Sequence, residues 1–523
     1  MPDKADITIL AEEKKTKLRE RIADLCSRRM YMSEKDELCK LVLDSLRETG
    51  SFYSNEGSLL YFHKSSGELI DLHHRKRDLA AVLSREFSLN SNDAHTKRVM
   101  ESIRNHAHNF AIDVQLHSLA RYDNDSDTLF LDIGNGNVLQ ITIDAEPTIV
   151  QMSAETGIFT ANPEFSCWQY IPIQDRNPDV SISSSIFQNF LVQESKRKNP
   201  YLALINVFLL SVLFPEEFKS RPILLFTGDK GCGKTTAMRS LGLLLMGSKF
   251  DVTASVTDLR DFETILVQSP LVAIDNVDES IKALEDPLAT ATTGGNFKRR
   301  KLYSDDTLYD RKARAAIGIT SRNPKFRRDD LNSRVLRIPF SGTMKKRSET
   351  SLANLVTNNR NQLMSELVDN LRSCLSALRE AKSIDFGTKL RMADFGVFAQ
   401  KIAPALGYTP QEMLLILEVM QQEQLEYAGE SDPFLEVFFS FCDSDEFVQG
   451  KEYPTGELHR KLTIHARDNE LCYPCKIAST MGKKLNDPRL QVEGFMNRRF
   501  EIDYHPVRAH LPVHLCKPLS VRR

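Results

Sequence analysis

The spacing of apolar and polar positions changes several times along the chain, and each change predicts a different kind of element. Residues 1–50 are charged, with few breakers and apolar positions at helical intervals, which predicts helix. From Ser58 to Leu72 the pattern shortens to that of strands and predicts a hairpin closed at Ser65-Ser66-Gly67; Asp127 to Ile143 predicts a second, turning at Gly134-Asn135-Gly136. Residues 75–105, between the hairpins, keep a helical spacing. A Pro- and Ser-containing connection follows, then an apolar helix over Tyr201–Phe214. Short apolar runs predict buried strands at Pro222–Thr227, Leu271–Ile274, Ala315–Ile319 and Val335–Phe340, with a helix over Thr236–Leu245. Residues 348–430 read as nearly all helix, and 432–510 as a small helix-and-strand module. The expected organisation is a helical segment (1–50), an α+β domain (51–165), a linker (166–200), an α/β core (201–342), a helical lid (343–430) and a winged-helix-like domain (431–523).

The connection between Thr227 and the following helix carries the most specific chemistry. Gly228-Asp229-Lys230-Gly231-Cys232-Gly233-Lys234-Thr235-Thr236 fits the P-loop spacing in full. Glycines let the backbone curl so that N–H groups face phosphate oxygens, Lys234 neutralises β/γ charge, and the Thr235 hydroxyl suits Mg²⁺. Strand, glycine turn and helix is the context this chemistry needs, since the helix N-terminus favours the phosphates. These nine residues are therefore the expected ATP contacts.

A P-loop needs a carboxylate for the Mg²⁺ shell. Asp275 closes the Leu271–Ile274 run about 40 residues on and is the expected partner of Thr235 for the metal. Asn276 follows it where many ATPases have Glu, and Asp278 and Glu279 are the nearby acids, so the group orienting the attacking water stays open. Asn323 ends the next apolar run, where a polar side chain can hydrogen-bond the γ-phosphate or the attacking water. Arg334 lies between a short helix and the Val335–Phe340 strand, a position from which an arginine could stabilise transition-state charge. Arg327, Arg328 and Arg337 share the segment, and a solvated basic face is the alternative for any of them.

Composition adds limits but no direction. The 523 residues are 41% hydrophobic and 27% charged, with a formal net charge of −2, so a basic surface for nucleic acid would have to be local. Nine cysteines follow no framework, and no signal peptide or membrane-length apolar stretch is read; a reducing cytosol is the expected compartment.

The order of motifs resembles the AAA+ helicase module of phage and plasmid primase–helicases, at or near superfamily 3, with Asn-Pro and Leu-Asn-Ser-Arg elements similar to those of minichromosome maintenance helicases. The resemblance is carried by Gly228–Thr236, Ala273–Val277, Ala291–Asp306, Asp329–Arg334 and Arg391–Gly407. Residues 117–143 also look like the domain preceding the ATPase there, and the likeness covers about residues 50–410. No primase acids precede it, so primer synthesis is not expected. The resemblance implies a homo-oligomeric ring, a hexamer, that couples ATP hydrolysis to movement along DNA. In such a ring Lys234 binds phosphates, Thr235 and Asp275 hold Mg²⁺, Asn323 senses, and Arg334 is a finger reaching a neighbour's nucleotide. Arg391 is a further phosphate-sensor candidate.

Two basic segments are candidate DNA contacts. Lys298, Arg299, Arg300, Lys301 and Tyr303 form a basic, aromatic hairpin suited to backbone phosphates and base stacking; the alternative is support of the nucleotide site or a subunit contact. Residues 451–523 hold 14 Lys/Arg against 8 Asp/Glu. Helices at Phe434–Phe441, Gly456–His465 and 474–485, then a wing at 491–502, make Lys476, Lys483, Lys484, Arg498 and Arg499 the candidates there, with protein contact as the alternative. Cys472 and Cys475, with His459, His465 and His505, have metal-ligand spacing but no second CxxC, so buried thiols are expected. His106 and His108, at a helix end, have no carboxylate partner in sequence for a metal, and His73 and His74 are read as a solvated basic stretch, with DNA contact as the alternative. The leading functional expectation is a helicase or translocase of a phage or mobile element. An ATP-gated oligomeric sensor that recruits an effector, as in phage defence, is the alternative, and a protein-remodelling ATPase is disfavoured by the basic segments.

Overall fold

The computed structural model describes residues 4–27, 30–72, 76–160, 162, 164–189, 199–253, 256, 258–277, 281–300, 308–313, 315–322, 324, 326, 328–341, 348–430, 433–448, 452–485, 501–504 and 512–516. The chain divides into two compact units. The first comprises Met1–Arg176, Met246–Lys249 and Arg360–Val368, and the second Asn177–Leu245, Phe250–Asn359 and Asp369–Arg523.

The first unit opens with two helices, α1 (Lys4–Cys26) and α2 (Met32–Thr49), and continues into strands β1 (Gly50–Asn55), β2 (Ser58–His63) and β3 (Glu68–Asp71). Helices α3 (Lys76–Phe87) and α4 (Ala94–Phe110) follow, then β4 (Ile112–Asp113), β5 (Leu116–His117), β6 (Ala120–Asp123), β7 (Thr128–Gly134), β8 (Asn137–Ile141), β9 (Thr148–Gln151) and β10 (Ile158–Phe159). The strands form sheets of order β3-β2-β1-β4 and β6-β7-β8-β9 and a β5-β10 pair. Both predicted hairpins are present in antiparallel register, with Leu60 opposite Asp71 and Leu129 opposite Ile141. The apolar faces of α2, α3 and α4 close one core over β1–β3, around Leu38, Val42, Tyr61, Leu83 and Ile103. Residues 166–176 group with this unit instead of standing apart as a linker. The reason is local: Trp168 is buried, and its Nε1–H donates to the carbonyl of Asp132 at 3.0 Å.

The second unit contains α5 (Ile182–Ser185), α6 (Pro200–Ser211), β11 (Ile223–Thr227), α7 (Lys234–Met246), α8 (Leu259–Gln268), β12 (Leu271–Ile274) and α9 (Ile281–Thr292). Next come β13 (Asn296–Arg300), β14 (Leu308–Lys312), β15 (Ala316–Ser321), α10 (Asp329–Asn332) and β16 (Val335–Pro339). The helices α11 (Glu349–Asn358), α12 (Arg360–Glu380), α13 (Ala393–Ile402) and α14 (Pro410–Glu430) make the predicted helical stretch. The first turns of α12 count with the other unit. The chain ends in α15 (Pro433–Cys442), β17 (Glu452–Pro454), α16 (Thr455–Asp468), α17 (Ala478–Leu485), β18 (Glu501–Tyr504) and β19 (Pro512–Cys516).

The centre of this unit is an all-parallel sheet of order β12-β15-β11-β16. Its strands are near-continuous apolar runs because helices cover both faces. Ile223, Leu225, Ile274 and Ile319 are fully buried. Because the strands are parallel, all the loops leaving them emerge at one edge, where a ligand crevice belongs. The last three helices pack around Phe434, Phe438, Phe441, Leu458 and Met481, beside a sheet of order β17-β19-β18. The third helix starts at Ala478, four residues later than the sequence pattern suggests. Of the expected wing, 491–500 lies outside the described residues. No helix among the described residues is long and apolar enough to cross a membrane.

Candidate functional site

The glycine turn leaves the C-terminal end of β11, a central strand, and runs into the first turn of α7. Gly228 adopts φ +144°, Gly231 +85° and Gly233 +89°, backbone that only glycine takes without strain. At Gly228 space adds a second requirement, since a Cβ would stand 2.3 Å from the Phe340 carbonyl oxygen. At Gly231 a Cβ would have nothing within 4 Å, so the conformation alone demands glycine there. The Lys234 ammonium donates to the carbonyls of Gly228 and Asp229, each at 2.8 Å, and lies 3.6 Å from the Cys232 thiol. It is thus held inside the curl of the loop. Asp229 and Lys230, at the crest, are exposed, while Thr235 and Thr236 are half-buried in the first turn of α7.

Asp275 follows the last residue of β12. Strand β15 separates β12 from β11, yet the Thr235 hydroxyl reaches Asp275 Oδ1 at 2.8 Å. The same carboxylate oxygen accepts from Thr320 on the intervening strand. Thr320 is buried, and its hydroxyl also accepts the backbone N–H of Asn276 at 3.3 Å. Asn276 itself sits at φ +52°, a conformation asparagine tolerates better than most residues. Thr320 was not among the sequence-derived candidates; it looks like part of an ordinary apolar strand until the neighbouring strand is known. Asn323, Asp278 and Glu279 lie outside the described residues, as do Arg327, Lys301, Tyr303, Arg498 and Arg499.

Arg334 stands at the opposite edge of the same sheet. Its carbonyl accepts the N–H of Ile223, the first residue of β11, at 2.9 Å. Five residues of strand then lead to Gly228, roughly 16 Å at the usual rise. The Arg334 guanidinium donates to the Asp330 carbonyl at 2.8 Å, and its side chain is 12% exposed. Its Nε is buried without a hydrogen-bond partner. Arg391, which precedes α13, donates to Ser333 Oγ at 3.4 Å. Burial first, and then the Arg391 charge, hold the pKa of Arg334 below its ordinary value. Two guanidinium groups therefore sit close together, one with an unmet donor, an arrangement that an anion would complete. Arg328 is taken up by Asp330 and Asp286, and the hydrogen bond to Asp330 raises its pKa.

The basic hairpin is present as β13 and β14 in antiparallel register, with Lys298 opposite Asp310, Arg299 opposite Tyr309 and Arg300 opposite Leu308. Phe297 packs against the sheet's core and fixes the base of the hairpin. In the last module Lys476 is exposed just before α17 and Lys484 is half-buried within it; Lys483 also belongs to α17. His459 pairs with the Cys475 carbonyl at 2.9 Å and His465 with Ser440 at 2.9 Å. Both thiols were expected to be buried; Cys475 is, but Cys472 is exposed. His505 is not among the described residues. Nor are His73 and His74. His106 stacks on Phe110 and bonds Arg47.

ATP with Mg²⁺ is the group the motif implies, and the residues fit it. The helix N-terminus and lysine suit a polyphosphate. Thr235 and Asp275 offer one hydroxyl and one carboxylate at 2.8 Å from each other, the partial oxygen shell that Mg²⁺ uses when phosphates and water complete it. No group of three or more His, Cys, Asp or Glu side chains is gathered for a metal among the described residues.

Fold and site together define a mixed α/β protein with a glycine-rich turn at the carboxyl edge of a parallel sheet. Residues 193–413, under half of the chain, match the family model described as actinomycete integrative conjugative element replication protein (AICE RepA). None of the curated proteins compared with the chain matches it. Among solved structures, one described as "SCCmec type IV Cch - active helicase" is 12% identical with a TM-score of 0.48, over 90% of this chain and 92% of that one. The apo structure of the NrS-1 C-terminal region is 9% identical with a TM-score of 0.42, over 91% and 97%. At these scores neither likeness carries information about chemistry.

Proposed function

We propose that the chain is an ATP-hydrolysing DNA helicase of the replication type, an AAA+ module working as a homo-oligomeric ring, hexameric by resemblance, in the cytoplasm. The observation that carries the reading is the division of one sheet between two half-sites. Lys234, Thr235 and Asp275 share its carboxyl edge, whereas Arg334 and Arg391 are grouped near its amino edge. An arginine so far from its own P-loop serves a nucleotide only by reaching another copy's, which is the logic of a ring. The match to a replication-protein family supports the biological setting.

In this reading Mg-ATP supplies the bond to be cleaved and a cation to offset its charge. Lys234, held by the Gly228 and Asp229 carbonyls, would bind the β/γ phosphates. Thr235 and Asp275 would hold the metal, Asn323 would contact the γ-phosphate, and Arg334 with Arg391 would meet the charge that develops across the subunit boundary. The β13–β14 hairpin, with Lys298–Lys301 and Tyr303, tracks single-stranded DNA without regard to sequence. The C-terminal winged-helix-like module adds duplex contacts through Lys476, Lys483, Lys484, Arg498 and Arg499.

ATP hydrolysis and forked-duplex unwinding, measured side by side, test this. Wild type is expected to unwind, with DNA stimulating hydrolysis. Lys234→Ala is expected to lose both activities, and replacement of Lys298, Arg299, Arg300 and Lys301 by Ala to keep basal hydrolysis but lose unwinding. ATP hydrolysis with no duplex opened at any ring-forming concentration would overturn the helicase reading in favour of an ATP-gated assembly that recruits an effector.

A further inference from the structure

The residue before the P-loop, Thr227, is fully buried and heavily engaged. Its carbonyl accepts the N–H of Phe340 at 2.7 Å, and its hydroxyl accepts Nε–H of Arg337 at 3.1 Å. Arg337 lies on β16 opposite Leu225, two residues short of Thr227's own register partner, so its side chain runs along the strands toward the glycine turn. Helix α14 packs against β16 from the helical stretch that follows the sheet. On that helix Glu423 accepts the hydroxyl of Tyr201, from α6, at 3.2 Å. The Arg337 charge is near enough to the Tyr201 hydroxyl to oppose the rise in its pKa caused by burial and by Glu423. Two bonded pairs drawn from four elements thus lie along this route: Arg337 with Thr227 across β16 and β11, and Tyr201 with Glu423 across α6 and α14, with α14 packed on β16. A solvated basic face, the bland alternative for Arg337, would not be half-buried with its Nε committed to a buried hydroxyl.

We propose that Arg337 is a positioning residue that clamps Thr227 and ties the entry of the P-loop, through the Tyr201–Glu423 pair, to α14, so that nucleotide affinity and the seating of α14 are coupled. The inference rests on the nucleotide-binding reading. The clamp fixes where the first carbonyl of the loop points, and that carbonyl precedes Gly228, whose own oxygen holds the Lys234 ammonium. Loosening α14 at Glu423 therefore reaches the phosphate cradle although Glu423 itself touches no nucleotide. Coupling of this kind is reciprocal, so bound nucleotide must steady α14 to the same extent.

The test is equilibrium binding of a fluorescent non-hydrolysable ATP analogue with Mg²⁺ to the full chain, with melting temperature measured in parallel. Thr227→Val and Tyr201→Phe, which removes the hydroxyl that Glu423 accepts, are each expected to weaken binding about fivefold or more. The double variant is expected to be no weaker than the worse single one, because both break the same chain. Thr227→Ser, which keeps the hydroxyl and loses only the methyl group, is expected to restore wild-type affinity. Effects that multiply in the double variant, or a Tyr201→Phe protein that melts earlier yet binds normally, would overturn the clamp while leaving the nucleotide site intact. A wild type that binds no analogue, or binds it without dependence on Lys234, would overturn the nucleotide reading and the clamp together.

Discussion

Single side chains carry the sharpest expectations. Thr320 gives its hydroxyl hydrogen to Asp275 and receives the N–H of Asn276, so it orients the carboxylate that the proposed Mg²⁺ site would use and holds a strained residue beside it. Thr320→Val keeps the volume and removes both bonds. It is expected to cost about 1–2 kcal/mol of stability and to raise the Mg²⁺ concentration needed for nucleotide binding severalfold, with Thr320→Ser restoring both. Unchanged Mg²⁺ dependence would remove Thr320 from the site. A second residue shows the opposite balance. Asp132 is almost wholly buried, and burial raises its pKa to about 7 against the partial relief of one hydrogen bond from the Gly134 N–H. The folded carboxyl thus holds its proton more tightly than the unfolded one, which titrates near 3.9. Stability is accordingly full at low pH and falls as pH rises from about 4 to 7. Asp132→Asn keeps the acceptor without the charge. It is expected to stabilise the protein on the order of 2–4 kcal/mol at pH 8 and by less than half as much at pH 5, read from urea unfolding at the two pH values. Equal gains at both would show that the carboxyl is not the cause.

Elements were legible where their pattern is local. The two hairpins of the first unit announce themselves by apolar alternation around Ser65-Ser66-Gly67 and Gly134-Asn135-Gly136, and both form. The four apolar runs of the second unit became the four parallel strands for the same reason. What the sequence could not display is which elements touch. Thr320 passes for core because nothing in its own strand says that β12 lies alongside. Arg334 and Arg391 are 57 positions apart and become neighbours only through the fold. The hairpin turns are a further case. A Cβ on Gly67 would stand 2.1 Å from the backbone of Asn135, and one on Gly136 would stand 2.3 Å from the Cα of Gly67. Each turn therefore needs glycine twice over, for φ of +68° and +70° and for the other turn's approach. Gly67→Ala and Gly136→Ala should each destabilise the first unit by at least about 2 kcal/mol, and the pair by less than the sum, since one clash is shared. Losses near 1 kcal/mol that simply add would mean that only the backbone conformation matters and that the turns do not press on each other.

At the scale of the molecule, the proposed ring makes a demand on how copies cooperate. Lys234 and Arg334 belong to one chain but to opposite ends of β11, so in that ring one copy would hold halves of two different sites. Lys234→Ala and Arg334→Ala should each abolish ATP hydrolysis when tested alone. Mixed in equal amounts and allowed to exchange subunits, the two inactive proteins should regain activity. Wherever an Arg334→Ala subunit offers its intact P-loop to a Lys234→Ala subunit's intact arginine, a complete site is rebuilt. Random mixing makes about a quarter of the boundaries complete, so recovery to about that fraction of wild-type hydrolysis is expected if sites act independently. Less is expected if a ring needs several intact sites in succession. An arginine acting within its own chain would leave the mixture as inactive as its parts, because no exchange could bring the missing group to the P-loop that lacks it.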